Sequence, residues 1–301
     1  MTALAPSAGL RSPTRPPIRL LPYLYLLPAL IVVVGVVHLG IIANGYYSFF
    51  DWNGISPTRK FIGLRNYTQM LSDPVFWSSL RNTLVFGIGT IALQMFFGFC
   101  LAAVVRTRAV LRGLLRTLAF IPVVLAPAIV ATSFRFLLTP EGAFNHLLGW
   151  IGIGTQHAWL GDPSTALATV ILINVWQYTG YSFLIYDAAM GQIDSSILEA
   201  SLIDGASTRQ ILMKVVSPLL NGSHLVLIIL GLVSALKTFD LVYLTTAGGP
   251  GTSTQVLAGY IYRQVIGQFH AGYGAALSIT VVILALIFST VQVRLMLREA
   301  R

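Results

Sequence analysis

Charged residues are scarce in this chain. Only 10% of its 301 residues are charged, with 19 Lys and Arg against 10 Asp and Glu, whereas soluble domains carry about 25%. Cysteine is almost absent too, and the single Cys100 excludes a disulfide framework or a cysteine-based metal site within one chain. Apolar residues make up 55% of the chain, and its mean hydropathy is +0.77. The composition therefore excludes an ordinary soluble domain and predicts a protein of the lipid bilayer.

Six apolar runs are long enough to cross a bilayer as helices, since a span needs roughly 20 such residues. The first is too long for a signal-peptide core and has no convincing cleavage site after it, so we expect a retained span. Pro122 and Pro127 predict a kink in the third. The sequence thus predicts an all-α membrane protein with six transmembrane helices. The runs are Leu20–Ala43, Asn82–Val105, Leu114–Leu138, Thr165–Asp187, Asn221–Leu244 and Ala275–Leu297.

The basic residues indicate how these helices are oriented. Cytoplasmic loops of membrane proteins collect Lys and Arg, and the counts favour both termini in the cytoplasm. The net charge of +9 is then a consequence of topology, so membrane lipid rather than nucleic acid is the expected environment. Twelve of the 19 basic residues fall on the inside: Arg11, Arg15, Arg19, Arg106, Arg108, Arg112, Arg116, Arg209, Lys214, Arg294, Arg298 and Arg301.

The loop over residues 192–218, between the fourth and fifth runs, is more than a simple connector. Its apolar residues recur at helical spacing on both sides of a turn at 204–206, which predicts a short helix, a glycine turn and a second helix. Glu199 offers a carboxylate, and Gly205 permits a tight reversal of the chain. A helical unit that enters a cleft on a cytoplasmic partner requires both features. An ordinary amphipathic helix lying on the membrane surface is the alternative.

The residues of this loop resemble the coupling loop, or EAA motif, of permeases in binding-protein-dependent ABC importers. The family pattern is Glu-Ala-Ala, a Gly four residues later, and Ile-x-Leu-Pro after nine more. Glu199, Ala200, Gly205 and Pro218 are in register with it. Three residues depart from it mildly: Ser201 replaces the second Ala, Val215 the Ile and Ser217 the Leu.

Other segments resemble the carbohydrate-uptake, maltose-permease-like branch of these type I importers, in the same order along the chain. Each segment is weak alone, and their order carries the resemblance. They are Phe61–Tyr67, Asp73, Phe76–Trp77, Asn82–Thr83, Ile121–Pro122, Trp159 with Asp162–Pro163, Phe239–Asp240 and Thr246–Pro250.

The resemblance implies a non-catalytic permease of a bacterial cytoplasmic (inner) membrane, paired with a second, homologous permease. It also implies a dimeric cytoplasmic ATPase, which would hold ATP and magnesium, and an external solute-binding protein. This chain has no GxxxxGK[ST] phosphate loop, so no cofactor of its own is expected. The implied organisation is a cytoplasmic tail at 1–19, a first helix at 20–43, an extracytoplasmic loop at 44–78, the importer transmembrane domain at 79–297 and a tail at 298–301. The residues expected to couple it to the ATPase are Glu199, Ala200, Asp204, Gly205 and Ala206.

A polar stripe runs along the fourth span. Asn174, Gln177, Tyr178 and Tyr181 are spaced i, i+3, i+4 and i+7, on one face of a helix. Amides and phenols supply the hydrogen bonds and aromatic faces that suit a neutral polyol, although hydrogen bonding between helices is the alternative. The fifth span adds two further candidates at i, i+4, Ser234 and Thr238.

The resemblance sharpens this interpretation. Asn174 and Tyr181 match sugar-contacting positions of maltose-type permeases by identity, whereas the other four candidates occupy such positions with changed residues. Val123 and Pro127 replace polar contact positions, which argues against maltodextrin as the substrate. A neutral mono-, di- or oligosaccharide is favoured, and Lys237 leaves a phosphorylated polyol such as glycerol 3-phosphate as the alternative.

Two other classes of protein are less compatible with the sequence. A secondary transporter would need carboxylates at mid-membrane, and none of the ten acidic residues clearly lies there. A membrane-bound transferase would need acidic or His residues gathered at one interface, but the five His residues are scattered without metal-ligand spacing. Asp187 and Arg135, near the ends of their spans, are expected to reach the interfaces.

Overall fold

The computed structural model describes residues 21–107, 112–153 and 156–299, and the chain divides into two compact units, 1–43 and 44–301. The first unit contains helix α1, Leu21–Val32, a π-helical turn, Val33–His38, and the first five residues of α2, Leu39–Tyr47. The predicted first span is helical from Leu21 onward and extends beyond its expected end at Ala43. The expected tail at 1–19 lies outside the described residues, as do residues 300–301.

In the described part of the second unit, the regular elements are helices and one short pair of antiparallel strands, β1 and β2, in which Phe50 lies opposite Phe61. In chain order its elements are β1 Phe50–Asp51, β2 Lys60–Phe61, α3 Arg65–Ser72, α4 Pro74–Thr107, α5 Arg112–Val124, α6 Pro127–Leu137, α7 Ala143–Trp150, α8 Ala166–Met190, α9 Ser195–Ile203, α10 Thr208–Gln210, a π-helical turn Ile211–Val216, α11 Ser217–Leu219, α12 Asn221–Lys237, α13 Asp240–Thr246, α14 Leu257–Tyr262, a π-helical turn Arg263–Gly267 and α15 Ala271–Glu299.

Helix α4 begins eight residues earlier than predicted because Asp73 holds its first turn. One carboxylate oxygen of Asp73 accepts the backbone N–H of Val75 at 2.8 Å, and the other accepts hydroxyls from Tyr260 and Tyr273, the latter at 2.7 Å. Burial raises the pKa of Asp73, but these hydrogen bonds to its charged form outweigh burial and leave the pKa below its ordinary value. Asp73 therefore ties the start of α4 to α14 and α15.

The predicted third span is two helices rather than one kinked helix. The segments Gly113–Val124 and Pro127–Leu137 meet at 91°. Ala126 is extended, with ψ at 135°, and Pro127 opens α6 at a position where a proline's missing N–H costs nothing. Pro122, by contrast, lies within α5. The kink that Pro122 and Pro127 predict in Leu114–Leu138 is therefore present but larger than expected, because Pro127 starts a new helix.

The predicted fifth span also ends early. Helix α12 stops at Lys237, Thr238 is extended with ψ at 118°, and α13 begins at Asp240. At its other end α12 meets the segment Thr208–Leu219 at 69°. The expected continuous span Asn221–Leu244 is therefore too long, since seven of its residues lie beyond the end of α12.

Among the described residues, three helices are long and apolar enough to cross a membrane, and the number rises to five if each bent pair counts as one span. The three are Tyr25–Tyr47, Pro74–Arg106 and Ala271–Thr290. Helix α8 is not among them. Its polar stripe lowers its hydropathy, and about half of its 25 residues are buried by neighbouring helices. A helix enclosed by protein needs no lipid-facing apolar surface, so the six-span expectation remains a prediction.

Helix α8 lies against α4 and α5, and glycines permit the approach. A Cβ at Gly180 would lie 1.9 Å from the carbonyl oxygen of Ala119 in α5. A Cβ at Gly98 of α4 would lie 2.7 Å from that of Ser182 in α8. The two helix pairs therefore pack backbone to backbone at these glycines.

We expect Gly180→Ala to destabilise the chain by about 1–3 kcal/mol, because the added methyl group must push α5 from α8. Thermal unfolding of the detergent-purified protein measures this loss. The matched control is Gly222→Ala in α12, where a Cβ meets nothing within 4 Å and alanine favours the helix. Equal melting temperatures for the two variants would contradict the close approach of α5 and α8.

Candidate functional site

A pocket of about 400 Å³ lies between the middle turns of α4, α8 and α12. Its polar side chains are amides, hydroxyls and phenols, and no charged side chain is among the described residues that line it. The lining residues are Phe86, Thr90, Ile91, Gln94, Met95, Val123, Asn174, Tyr178, Tyr181, Ser182, Leu227, Leu230, Gly231, Ser234 and Ala235.

Four of the six predicted substrate residues line this pocket: Asn174, Tyr178, Tyr181 and Ser234. Tyr181 keeps 43% of its surface exposed, so its ring is available to a ligand. The structure thus brings the α8 stripe and one residue of α12 to the same cavity.

Gln177 and Thr238 do not line the pocket. Gln177 is fully buried, and its Nε2 donates at 2.9 Å to the carbonyl of Leu125, at the break between α5 and α6. That carbonyl lies at a helix end and needs a donor, which gives Gln177 a structural task. The Thr238 hydroxyl donates to the carbonyl of Ser234 at 2.9 Å.

The sequence analysis missed the contribution of α4 to this pocket. Gln94 lines it and donates from Nε2 to Oδ1 of Asn174 at 2.9 Å, which fixes the Asn174 amide. Thr90, one turn earlier, lines it as well, although its hydroxyl already donates to the carbonyl of Phe86. The available signal was two polar residues at i, i+4 within an apolar run.

A second candidate site is the coupling segment, which we define as residues 194–219. Helix α9 begins at Asp194, whose side chain accepts the backbone N–H of Ser196 at 2.9 Å. This hydrogen bond lowers the pKa of the Asp194 carboxyl. Gly205 follows α9 with φ at +78°, a conformation that glycine adopts without strain. Ser207 and Gln210 then cap the second helix reciprocally.

The coupling segment presents one face to the bundle and one to its surroundings. Leu198 and Ala206 pack against the buried cluster that includes Tyr186 and Ile211. On the opposite face Glu199 is exposed, and Ile203, one turn further on, is 87% exposed. The other predicted coupling residues, Ala200, Asp204 and Gly205, are exposed too.

The expectation that Asp187 reaches the membrane interface was wrong. Its side chain is only 2% exposed, because Arg106 at the end of α4 and Arg116 in α5 both pair with it. Nε of Arg116 donates to Oδ2 of Asp187 at 2.5 Å, and Nη2 of Arg106 donates to its backbone carbonyl at 2.7 Å. The buried carboxylate therefore joins the ends of three helices seven residues before the coupling segment begins.

Residues 94–299 match the family model described as binding-protein-dependent transport system inner membrane component. YurN of Bacillus subtilis, a probable ABC transporter permease protein, is 35% identical over 280 residues, which cover 92% of this chain and 96% of that relative. The trehalose/maltose transport system permease protein MalF of Thermococcus litoralis is 33% identical over 276 residues, 90% of this chain and 92% of the relative.

A solved structure shares the fold. A chain in the crystal structure of a bacterial ABC transporter involved in the import of the acidic polysaccharide alginate superposes with a TM-score of 0.82. The match covers 93% of this chain and 96% of that chain, at 23% sequence identity. At this identity the similarity concerns the fold alone.

Proposed function

The chain belongs to the family of binding-protein-dependent transport system inner membrane components, and as its substrate we propose a neutral mono-, di- or oligosaccharide. Its relatives make it an ABC transporter permease for sugars, a transport component of the inner membrane. In the proposed cycle an external solute-binding protein delivers the sugar, and both termini of this chain lie in the cytoplasm.

The observation that carries the proposal is the uncharged pocket between α4, α8 and α12. The Tyr178 and Tyr181 phenols and the Asn174 amide can exchange hydrogen bonds with sugar hydroxyls. Aromatic rings also offer a face for the C–H side of a sugar ring. The Thermococcus litoralis relative, named for trehalose and maltose, supports the same class of substrate.

A phosphorylated polyol is the competing substrate class, and the composition of the pocket lining disfavours it. A buried phosphate requires a cationic partner, yet no Lys or Arg is among the described residues that line the pocket. Lys237, which kept this alternative open, is not a lining residue. Carboxylates are likewise missing from the described lining residues, and this disfavours an ion-driven secondary transporter.

The coupling segment supports an ATP-driven cycle. We propose that it docks in a cleft of one subunit of a dimeric cytoplasmic ATPase that binds ATP and magnesium. The Glu199 carboxylate would pair there with a basic residue, and the exposed Ile203 would enter an apolar cleft. A second, homologous permease completes the pathway. Closure of the ATPase pair would then switch the permease pair between inward-facing and outward-facing states.

The pocket is tested by Asn174→Ala and Tyr181→Ala. We expect each to lower uptake about tenfold, because each removes hydrogen bonds to the sugar while the helices stay packed. Uptake of radiolabelled trehalose and maltose by the assembled transporter in proteoliposomes measures the effect.

The matched control is Thr238→Ala, a hydroxyl loss outside the pocket, for which uptake should remain at the wild-type level. Assembly is checked by co-purification of the partner subunits with each variant. Normal uptake by both pocket variants would show that the polar stripe serves helix packing, and uptake of glycerol 3-phosphate alone would favour the phosphorylated polyol.

A further inference from the structure

A second cavity of about 770 Å³ continues from the pocket toward the coupling segment. The two cavities share Met95 of α4. The second is lined by the following turns of α4, including Phe99 and Cys100, by α8 at Tyr186 and by α12 at His224. Its remaining wall is the coupling segment, at Thr208, Arg209, Leu212, Met213 and Ser217. The same three helices therefore enclose both cavities, and the coupling segment borders only the second.

A chain of hydrogen bonds runs along the wall of the second cavity, between Tyr186, His224 and Ser217. The hydroxyl of Tyr186 lies 2.6 Å from Nδ1 of His224, and Nε2 of His224 lies 3.1 Å from the backbone carbonyl of Ser217. A carbonyl only accepts, so Nε2 must carry a proton, and in the neutral imidazole Nδ1 then accepts from the tyrosine hydroxyl. One neutral tautomer of His224 thus satisfies both contacts and links α8 to α12 and to the coupling segment.

The position of this link joins the pocket to the coupling segment. Tyr186 follows the pocket residue Ser182 by one helical turn, and His224 precedes the pocket residue Leu227 by three residues. Tyr186 is 1% exposed, and the ring of Phe99 packs edge-on against it at 5.6 Å between centroids. A displacement of the carbonyl of Ser217 is therefore passed through His224 to the turn of α8 directly beside the pocket.

We propose that the Tyr186–His224–Ser217 link positions the wall of the sugar pocket according to the state of the coupling segment. Tyr186 and His224 act here as positioning residues that do not touch the sugar. The link accounts for two features that packing alone leaves unexplained, a histidine at the head of α12 and a hydroxyl on a tyrosine buried among apolar residues. The inference rests on the proposed function, since it assumes that the ATPase moves the coupling segment.

Cys100 provides the test, because it is the only cysteine of the chain, is exposed and lines the second cavity. The measurement is the rate at which N-ethylmaleimide labels Cys100 in the assembled transporter. We compare the nucleotide-free state with the state trapped by ATP, magnesium and vanadate, using partner subunits without cysteine. We expect the cavity to change shape between these states, so the wild-type rates should differ.

Tyr186→Phe keeps the buried ring and removes the hydroxyl. We expect the ratio of the two labelling rates to fall about fivefold, the factor that one such hydrogen bond contributes to an equilibrium. His224→Ala should behave similarly, and His224→Gln should restore part of the ratio because its amide can accept and donate. Thr208→Ala is the matched control and should keep the wild-type ratio, since it removes a hydroxyl from the wall of the second cavity outside the link.

A wild-type ratio in Tyr186→Phe would overturn the link, even if His224→Ala fails to fold. Wild-type rates that are equal in the two nucleotide states would overturn it as well. The proposed function is decided separately on the same preparation, by whether wild-type uptake of labelled trehalose and maltose requires ATP.

Discussion

Asp187→Ala is expected to destabilise the chain by about 3–5 kcal/mol, the range found when one partner of a buried ion pair is removed. The carboxylate is 2% exposed and pairs with both Arg106 and Arg116, at the ends of α4 and α5, so its removal leaves two like charges without their shared counter-ion. These arginines keep 29% and 41% of their side-chain surface exposed. Water can therefore reach both, and this places the expected loss near the lower end of the range.

Thermal unfolding of the detergent-purified chain measures this effect. Glu141→Ala is the matched control, because Glu141 is an exposed carboxylate, and its melting temperature should remain within a degree or so of wild type. Asp187→Asn should fall between the two, since the amide keeps the shape and loses the charge. If the Asp187→Ala variant has the melting temperature of the wild type, packing holds the three helix ends together and the ion-pair cluster adds no measurable stability.

Glu199→Arg is expected to abolish ATP-driven uptake and to leave the fold intact. The side chain is exposed at the middle of α9, so its reversal disturbs no contact inside the chain. At a docking surface, however, like charges brought together cost several kcal/mol, which weakens association with the ATPase by a factor of 100 or more at about 1.4 kcal/mol per tenfold. The measurements are co-purification of the ATPase and ATP-dependent uptake in proteoliposomes.

Glu141→Arg supplies the same charge reversal outside the coupling segment and should leave both measurements unchanged. Melting temperatures of the two variants should agree with that of the wild type. If the Glu199→Arg variant still co-purifies with the ATPase and transports normally, α9 lies on the membrane surface and docks no partner.

The local geometry of the coupling segment was predictable because local chemistry dictates it. Gly205 after an apolar helix predicts a reversal, and the structure has φ at +78° at that residue. The paired caps of Ser207 and Gln210 and the cap of Asp194 are also readable from the sequence as side chains that satisfy free helix ends. The partner that would bind its exposed face cannot be predicted in the same way, because the exposure of Ile203 depends on how the segment packs against the helix bundle.

Longer-range features were less predictable. The two prolines predicted a kink in Leu114–Leu138, but neither hydropathy nor proline position gives its angle, and Pro127 starts a second helix at 91°. Helical spacing likewise placed Gln177 with Asn174 on one face. The structure turns Gln177 toward the carbonyl of Leu125 at the break between α5 and α6, a contact that only tertiary packing creates.

The same limit applies to Asp187 and Gln94. A carboxylate near the end of a span is ordinarily free to extend toward water, and burial of Asp187 depends on two arginines that are 71 and 81 residues away in the sequence. Gln94 entered the pocket because α4 packs beside α8, a pairing with no signature in the sequence of either helix. The chemical groups of these residues were therefore known from the sequence, but the neighbouring residues that give each group its role were not.

The most direct test of the account is uptake by proteoliposomes that contain the assembled transporter, supplied with its binding protein and a panel of radiolabelled trehalose, maltose and glycerol 3-phosphate, with and without ATP. We predict uptake of a neutral sugar that requires ATP and is lost in Glu199→Arg. Uptake that proceeds equally without ATP, or uptake of glycerol 3-phosphate alone, would contradict the account.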